Sequence, residues 1–137
     1  MADAPEVIRI FTDLVRLDTT NPPGNEIIAT DYLAGIFEAH GISYEIVEPE
    51  PSRASIVARI GPEAGAPPVI LISHLDVVAA DPQEWSYPPF DAVERDGMIY
   101  GRGTLDTKYL TAMELAAFLA MKDRELRRPV YLVATAD

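Results

Sequence analysis

The sequence predicts an α/β fold, a mixed and largely parallel sheet flanked by helices, on three observations. Apolar residues recur at helical spacing in three segments. Short apolar runs of strand length stand between and after them, and clusters of Gly, Pro, Asn and Asp punctuate the joins. Strands alternating with helices in this way build a layered domain rather than a helical bundle or a sandwich.

The first helix starts at Pro5, with Val7, Ile8, Phe11, Leu14, Val15 and Leu17 at spacings of three and four. Asp18-Thr19-Thr20-Asn21-Pro22-Pro23-Gly24-Asn25 ends it with turn formers. A second amphipathic helix presents Ile27, Ile28, Tyr32, Leu33, Ile36 and Phe37, and closes at His40-Gly41, where glycine can take the left-handed position. His40 in that last turn suits the helix dipole, and the cap reading outweighs a metal role. Ser43 to Val47 and Ser55 to Ile60 read as strands, and Gly61 to Pro68 as a surface loop. Val69-Ile70-Leu71-Ile72-Ser73 is a continuous apolar run, the pattern of a strand covered on both faces. A Pro-rich loop from Ala80 to Asp91 surrounds Trp85. Ala92 to Tyr100 predicts a hairpin turning at Asp96-Gly97. Thr107 to Lys122 is helical and apolar on most sides, as for a helix packed on a sheet, and Val130 to Thr135 is a further buried strand.

Composition narrows the function. The chain has 137 residues, 48% of them hydrophobic, enough for one domain with a core. Lys and Arg total 11 against 22 Asp and Glu, a net charge of −11. That balance argues against nucleic acid or an anionic membrane as partner. Cysteine is absent, so disulfides and thiolate metal sites are excluded, and any metal must rest on histidine and carboxylates. The N-terminus carries acid where a signal peptide carries base, which predicts a cytoplasmic protein.

Chemistry concentrates in two segments. Ser73-His74-Leu75-Asp76 ends a buried strand, where side chains two apart point the same way and can address one site. A histidine that ligates a metal commonly has its other ring N–H held by a carboxylate. A polar turn at a strand end fits the same residues, and His-x-Asp alone does not separate the two. Gly101-Arg102-Gly103-Thr104-Leu105-Asp106-Thr107-Lys108 leads into the third helix. Asp106 there reads either as an N-cap or as a carboxylate bridging two cations. A phosphate cradle fits poorly, because Gly-x-Gly lacks the third glycine and the surroundings are acidic. Trp85-Ser86-Tyr87-Pro88-Pro89-Phe90 reads as a rigid lid or anchor without chemistry of its own.

Together these segments resemble the zinc metallopeptidases that include acetylornithine deacetylase, succinyl-diaminopimelate desuccinylase, aminoacylase and glutamate carboxypeptidase. The matching stretches are Asp18 to Glu26, Ser73 to Val78, Trp85 to Phe90 and Asp96 to Lys108, in the family's order and covering most of the chain. The resemblance implies a zinc exopeptidase-like catalytic domain that cleaves an amide bond next to a carboxylate, in a small peptide or an N-acyl amino acid. It implies that His74 ligates one zinc, that Asp106 bridges two, and that Asp76, the candidate catalytic residue, orients His74. Cobalt or manganese suits the same ligands. Many members have glycine where Tyr109 follows Lys108, which leaves the substrate subgroup open.

In the family a Glu-Glu pair, supplying the general base and a further ligand, follows the strand matching Tyr131 to Ala136. Residues 1–137 are therefore expected to be the N-terminal portion of one catalytic domain, without the smaller dimerisation domain through which the complete protein would form a homodimer. The alternative is a non-catalytic metal-binding or interaction module ending at Asp137.

Overall fold

The computed structural model describes residues 4–63 and 65–137. Met1 to Asp3, part of the acidic N-terminus, and Ala64 of the Gly61–Pro68 loop lie outside the described residues.

Helix α1 (Ala4–Arg16) buries Ile10, Leu14 and Val15, and its outer face pairs Asp13 with Arg9 and Arg16. Helix α2 (Ile27–Ala39) buries Leu33 and Phe37 together with Ala29 and Ala34. The alanines let the helix approach the sheet closely, while Ile27, Ile28, Tyr32 and Ile36 flank the contact half-buried. His40 is the C-cap and Gly41 takes φ 65°, so the chain turns there by the left-handed route.

Four strands form the main sheet: β1 (Tyr44–Glu50), β2 (Arg53–Ile60), β3 (Val69–His74) and, last in the chain, β6 (Val130–Thr135). Their spatial order is β1-β2-β6-β3, with β3 and β6 parallel and the other pairs antiparallel. A small hairpin, β4 (Val93–Arg95) and β5 (Met98–Tyr100), turns at Asp96-Gly97 as predicted, with φ of 53° and 74° at the two turn residues. Helix α3 (Lys108–Met121) packs on β3, β6 and α1.

Alternation along the strands sets the core. Ala54, Ile56, Ala58 and Ile60 of β2 and Val130, Leu132 and Ala134 of β6 are buried and lie in register. They meet Phe37, Leu115 and Phe118 of the helices, with Phe37 and Phe118 packed edge to face at 6.1 Å. The opposite sheet face carries Val57, Tyr131 and Val133, half-buried, and Ile70 and Ile72 of β3, 57% and 58% exposed.

This corrects the expectation that β3 is covered on both faces. A run of apolar residues gives no account of strand order, and β3 is the edge strand beyond β6. Helix α3 is likewise open on one side, where Met113 is 57% exposed. Among the described residues no helix is long and apolar enough to cross a membrane.

Candidate metal centre

Parallel pairing places the ends of β3 and β6 side by side, with His74 opposite Thr135. Beyond them Leu75 N–H donates to Thr135 O at 2.8 Å. The loop after α1 then grips the same segment from the other side. The buried Thr19 hydroxyl donates to Leu75 O at 2.6 Å, Val77 N–H to Thr19 O at 3.1 Å, and Asn21 N–H to Val77 O at 2.9 Å. His74 and Asp76 therefore stand on backbone held on both edges.

The imidazole of His74 lies between two carboxylates. Nδ1 faces Asp76 Oδ1 at 3.0 Å and Nε2 faces Asp106 Oδ1 at 3.1 Å. Partial burial pulls the imidazole pKa down, but hydrogen bonding to Asp106 and the charge and hydrogen bond of Asp76 outweigh it and raise the pKa above its ordinary value. Both ring nitrogens of His74 are thus taken up by carboxylates, one on each side.

Asp106 does not cap α3. Thr107 occupies the N-cap position, without a side-chain cap bond, and the Asp106–Thr107 peptide is cis. The Asp106 carboxylate is 88% exposed and meets His74. With Thr107 at the N-cap, the Asp106 carboxylate is not used by the helix and lines the cavity beside His74 instead.

The glycine loop before α3 is shaped by what lies beneath it. At Gly101 a Cβ would stand 2.5 Å from Val15 Cγ1. At Gly103, φ is 85° and a Cβ would stand 3.0 Å from both Lys108 Cδ and Val77 Cγ1. Lys108 is wholly buried, and its ammonium donates to Leu17 O at 2.6 Å. Burial pulls its pKa down to about 8, against the nearby charges of Asp18 and Asp76, which hold it up.

These elements line a cavity of about 340 Å³ that contains His74, Asp76, Asp106, Asp137, Trp85 and Arg102. The Arg102 guanidinium lies 5.1 Å from the Trp85 ring centre. The aromatic loop, expected as a lid or anchor over a core, instead flanks this cavity, and Tyr87 packs on Tyr100 of the hairpin at 4.9 Å.

His74 Nε2 and the Asp106 carboxylate converge on one point, and Asp76 holds the other ring nitrogen, as a metal-ligating histidine requires. This donor set, nitrogen and oxygen without sulfur, fits part of a zinc site. Among the described residues no group of three His, Cys, Asp or Glu is arranged to hold a metal ion. His40 lies far from this cluster in sequence and serves as the cap of α2.

Sequence reasoning assigned no role to Arg53, Lys108 or the side chains of Asn21 and Glu26, which the structure draws into hydrogen bonds around the site. The one available signal was that Asn21, Glu26 and Lys108 lie within the family-like stretches.

The fold, with a histidine–carboxylate cluster at the carboxyl ends of parallel strands, is that of the metallopeptidase class. Residues 70–137 match the model of Peptidase family M20/M25/M40, and the chain belongs to that family. It is 40% identical over 134 residues to a probable succinyl-diaminopimelate desuccinylase of Staphylococcus aureus, covering 96% of this chain and 32% of that protein. It is 30% identical over 139 residues to acetylornithine deacetylase of Vibrio campbellii, covering 97% of this chain and 36% of the relative. Among solved structures, the M20 family metallo-carboxypeptidase Sso-CP2 of Sulfolobus solfataricus superimposes with a TM-score of 0.78 at 26% identity, covering 96% of this chain and 30% of that one. The chain thus spans about a third of the length of the proteins it matches.

Proposed function

We propose that the full-length protein is a dinuclear zinc amidohydrolase that cleaves an N-acyl amino acid, an N-succinyl one before an N-acetyl one, at the amide bond next to a carboxylate. The observation that carries this is the convergence of His74 Nε2 and the Asp106 carboxylate within 3.1 Å, backed by Asp76 on Nδ1. The order of acyl groups rests on the 40% identity to the desuccinylase against 30% to the deacetylase.

In this reading His74 offers a neutral Nε2 to one zinc. Asp76 accepts the Nδ1 proton, fixing the tautomer and raising the ring's basicity, and is a positioning residue rather than a catalytic one. Asp106, just ahead of α3, would help to hold the metals through its exposed carboxylate. When bound, the metal supplies Lewis-acid polarisation of the amide carbonyl and a lowered pKa for water. Trp85 and Arg102 wall one side of the cavity, where the ring backs the guanidinium and a positive charge stands beside the carboxylates.

Residues 1–137 supply only two ligands in this scheme, fewer than the three that even open zinc sites use. We expect this stretch by itself to bind zinc weakly and to hydrolyse nothing. The test is to strip the full-length protein of metal, reload it with zinc, and assay N-succinyl and N-acetyl amino acids and dipeptides. Zinc-dependent release of the free amine, fastest from the N-succinyl substrate, is expected. Turnover that survives chelation, or that survives in Asp106→Asn, would refute the assignment.

A further inference from the structure

The loop before α2 does more than grip Leu75 to Val77, because its side chains meet at a second point. The Glu26 carboxylate is wholly buried, and its Oε2 accepts from Arg53 Nε at 3.1 Å. Its Oε1 has no hydrogen-bond partner among the described residues, so the pairing with Arg53 is what offsets its burial. Arg53 begins β2, where its Nη1 donates to Asn21 Oδ1 at 3.2 Å and its Nη2 donates to the main-chain oxygen of Asp137. Asn21 Nδ2 donates to that same oxygen at 2.7 Å. Next to these groups Ala136 N–H donates to Ser55 Oγ at 3.0 Å. Gly24 makes the room: a Cβ there would stand 2.3 Å from Arg53 Cδ.

One guanidinium, fixed by a buried carboxylate, thus ties the loop to the end of β6. The backbone of that loop is already bonded to the segment that follows β3. A buried ion pair gives little stability that apolar residues of the same volume would not give. Its placement between two strand ends points to geometry instead.

We propose that Asn21, Glu26 and Arg53 form a clamp that fixes the main chain just beyond β6 against the loop gripping Leu75 to Val77, and are positioning residues for the cavity lined by His74, Asp106 and Asp137. The catalytic part of this inference rests on the hydrolase reading above. None of the three lines the cavity itself. They act by holding Asp137 and its neighbours against His74 and Asp106, and a displacement of about 1 Å in such a constellation costs on the order of 100-fold in rate.

The test uses full-length, zinc-loaded protein as Arg53→Ala, Arg53→Lys and Asn21→Ala, with Arg59→Ala as control. Arg59 lies on the same strand and face, and its guanidinium donates to Pro62 O instead. Amide exchange followed by mass spectrometry is expected to rise roughly tenfold at residues 134–137 in Arg53→Ala and Asn21→Ala, and to stay unchanged in β1. In the same variants kcat is expected to fall by on the order of 100-fold, with KM within threefold and zinc content unaltered. Added guanidinium should restore part of the Arg53→Ala rate, and Arg53→Lys should fall between, since one ammonium does not span both partners. If Arg53→Ala does not fold, Asn21→Ala decides, because it leaves the Glu26–Arg53 pair intact. Unchanged exchange at residues 134–137, or a kcat no lower than that of Arg59→Ala, would overturn the clamp. If the wild type itself shows no zinc-dependent turnover, the hydrolase reading fails, and exchange alone then decides the clamp.

Discussion

Replacing Thr19 by valine tests whether the loop after α1 holds the segment that carries His74 and Asp76. Thr19 is fully buried, and its hydroxyl is the donor to Leu75 O at 2.6 Å, between His74 and Asp76. Valine keeps the shape and removes the donor, leaving a buried carbonyl unpaired at a cost of about 1–3 kcal/mol. The methyl that replaces the hydroxyl returns up to about 0.8 kcal/mol. A net loss of roughly 1–2 kcal/mol follows, or about 3–8 °C in Tm for a domain of this size.

Thr30→Val is the matched control. Thr30 is equally buried, but its hydroxyl donates at 2.9 Å to Ile27 O, a carbonyl of the same helix that keeps its main-chain partner four residues on. That substitution should stay within about 0.5 kcal/mol, since no acceptor is left bare. Urea denaturation followed by circular dichroism, with unchanged m, measures both. Equal losses at the two positions, or less than about 0.5 kcal/mol at Thr19, would show that the bond to Leu75 is not what fixes this segment.

Other perturbations reach different parts of the molecule. Asp76→Asn removes the carboxylate behind His74 and should weaken zinc binding to the full-length protein by roughly 10–100-fold in calorimetric titration; unchanged affinity would detach Asp76 from the site. Gly24→Ala places a side chain at φ 87°, with its Cβ 2.3 Å from Arg53 Cδ, and should cost on the order of 1–3 kcal/mol in the same urea assay. Tyr32 donates to Asp13 at 3.0 Å, and burial followed by that bond pushes its pKa up to about 12 from 10.0. A raised folded pKa means full stabilisation below pH 10 and loss as pH climbs toward 12. The advantage over Tyr32→Phe, about 1 kcal/mol after allowance for solvent screening, should therefore vanish across that window.

How far the sequence discloses this structure depends on the range of the interaction. The hairpin at Asp96-Gly97 and the end of α2 at His40-Gly41 were legible because two adjacent residues decide them. The helix and strand periods were legible for the same reason. Strand order was not, so Val69 to Ser73 read as an interior strand although it lies at the edge. Asp106 read equally as a cap, since only the position of Thr107 in three dimensions decides that point. His74 and Asp76 are two residues apart and their partnership was expected, whereas Arg53 meets Glu26 across 27 residues and Asn21 meets Asp137 across 116. No local pattern carries such pairs.

The family-like stretches share a physical logic beyond ligation, because each is packed on another. Lys108 follows Asp106 by two residues and reaches under Gly103 to bond Leu17 O, at the end of the first helix. Leu17 leads directly to Asp18 and Thr19, and Thr19 bonds Leu75. Val77 in turn lies where any side chain on Gly103 would have to go. The path therefore closes on itself: helix end, loop, strand end, glycine loop and buried lysine. The charge follows the same path. Burial disfavours the Lys108 ammonium, and the carboxylates of Asp18 and Asp76 act in the opposite sense. A positive charge fixed beneath Asp76 partly balances the acidic cluster without occupying the cavity, so Asp106 stays 88% exposed. An acidic cluster with an open carboxylate beside an imidazole offers the oxygen and nitrogen donors that a divalent ion takes.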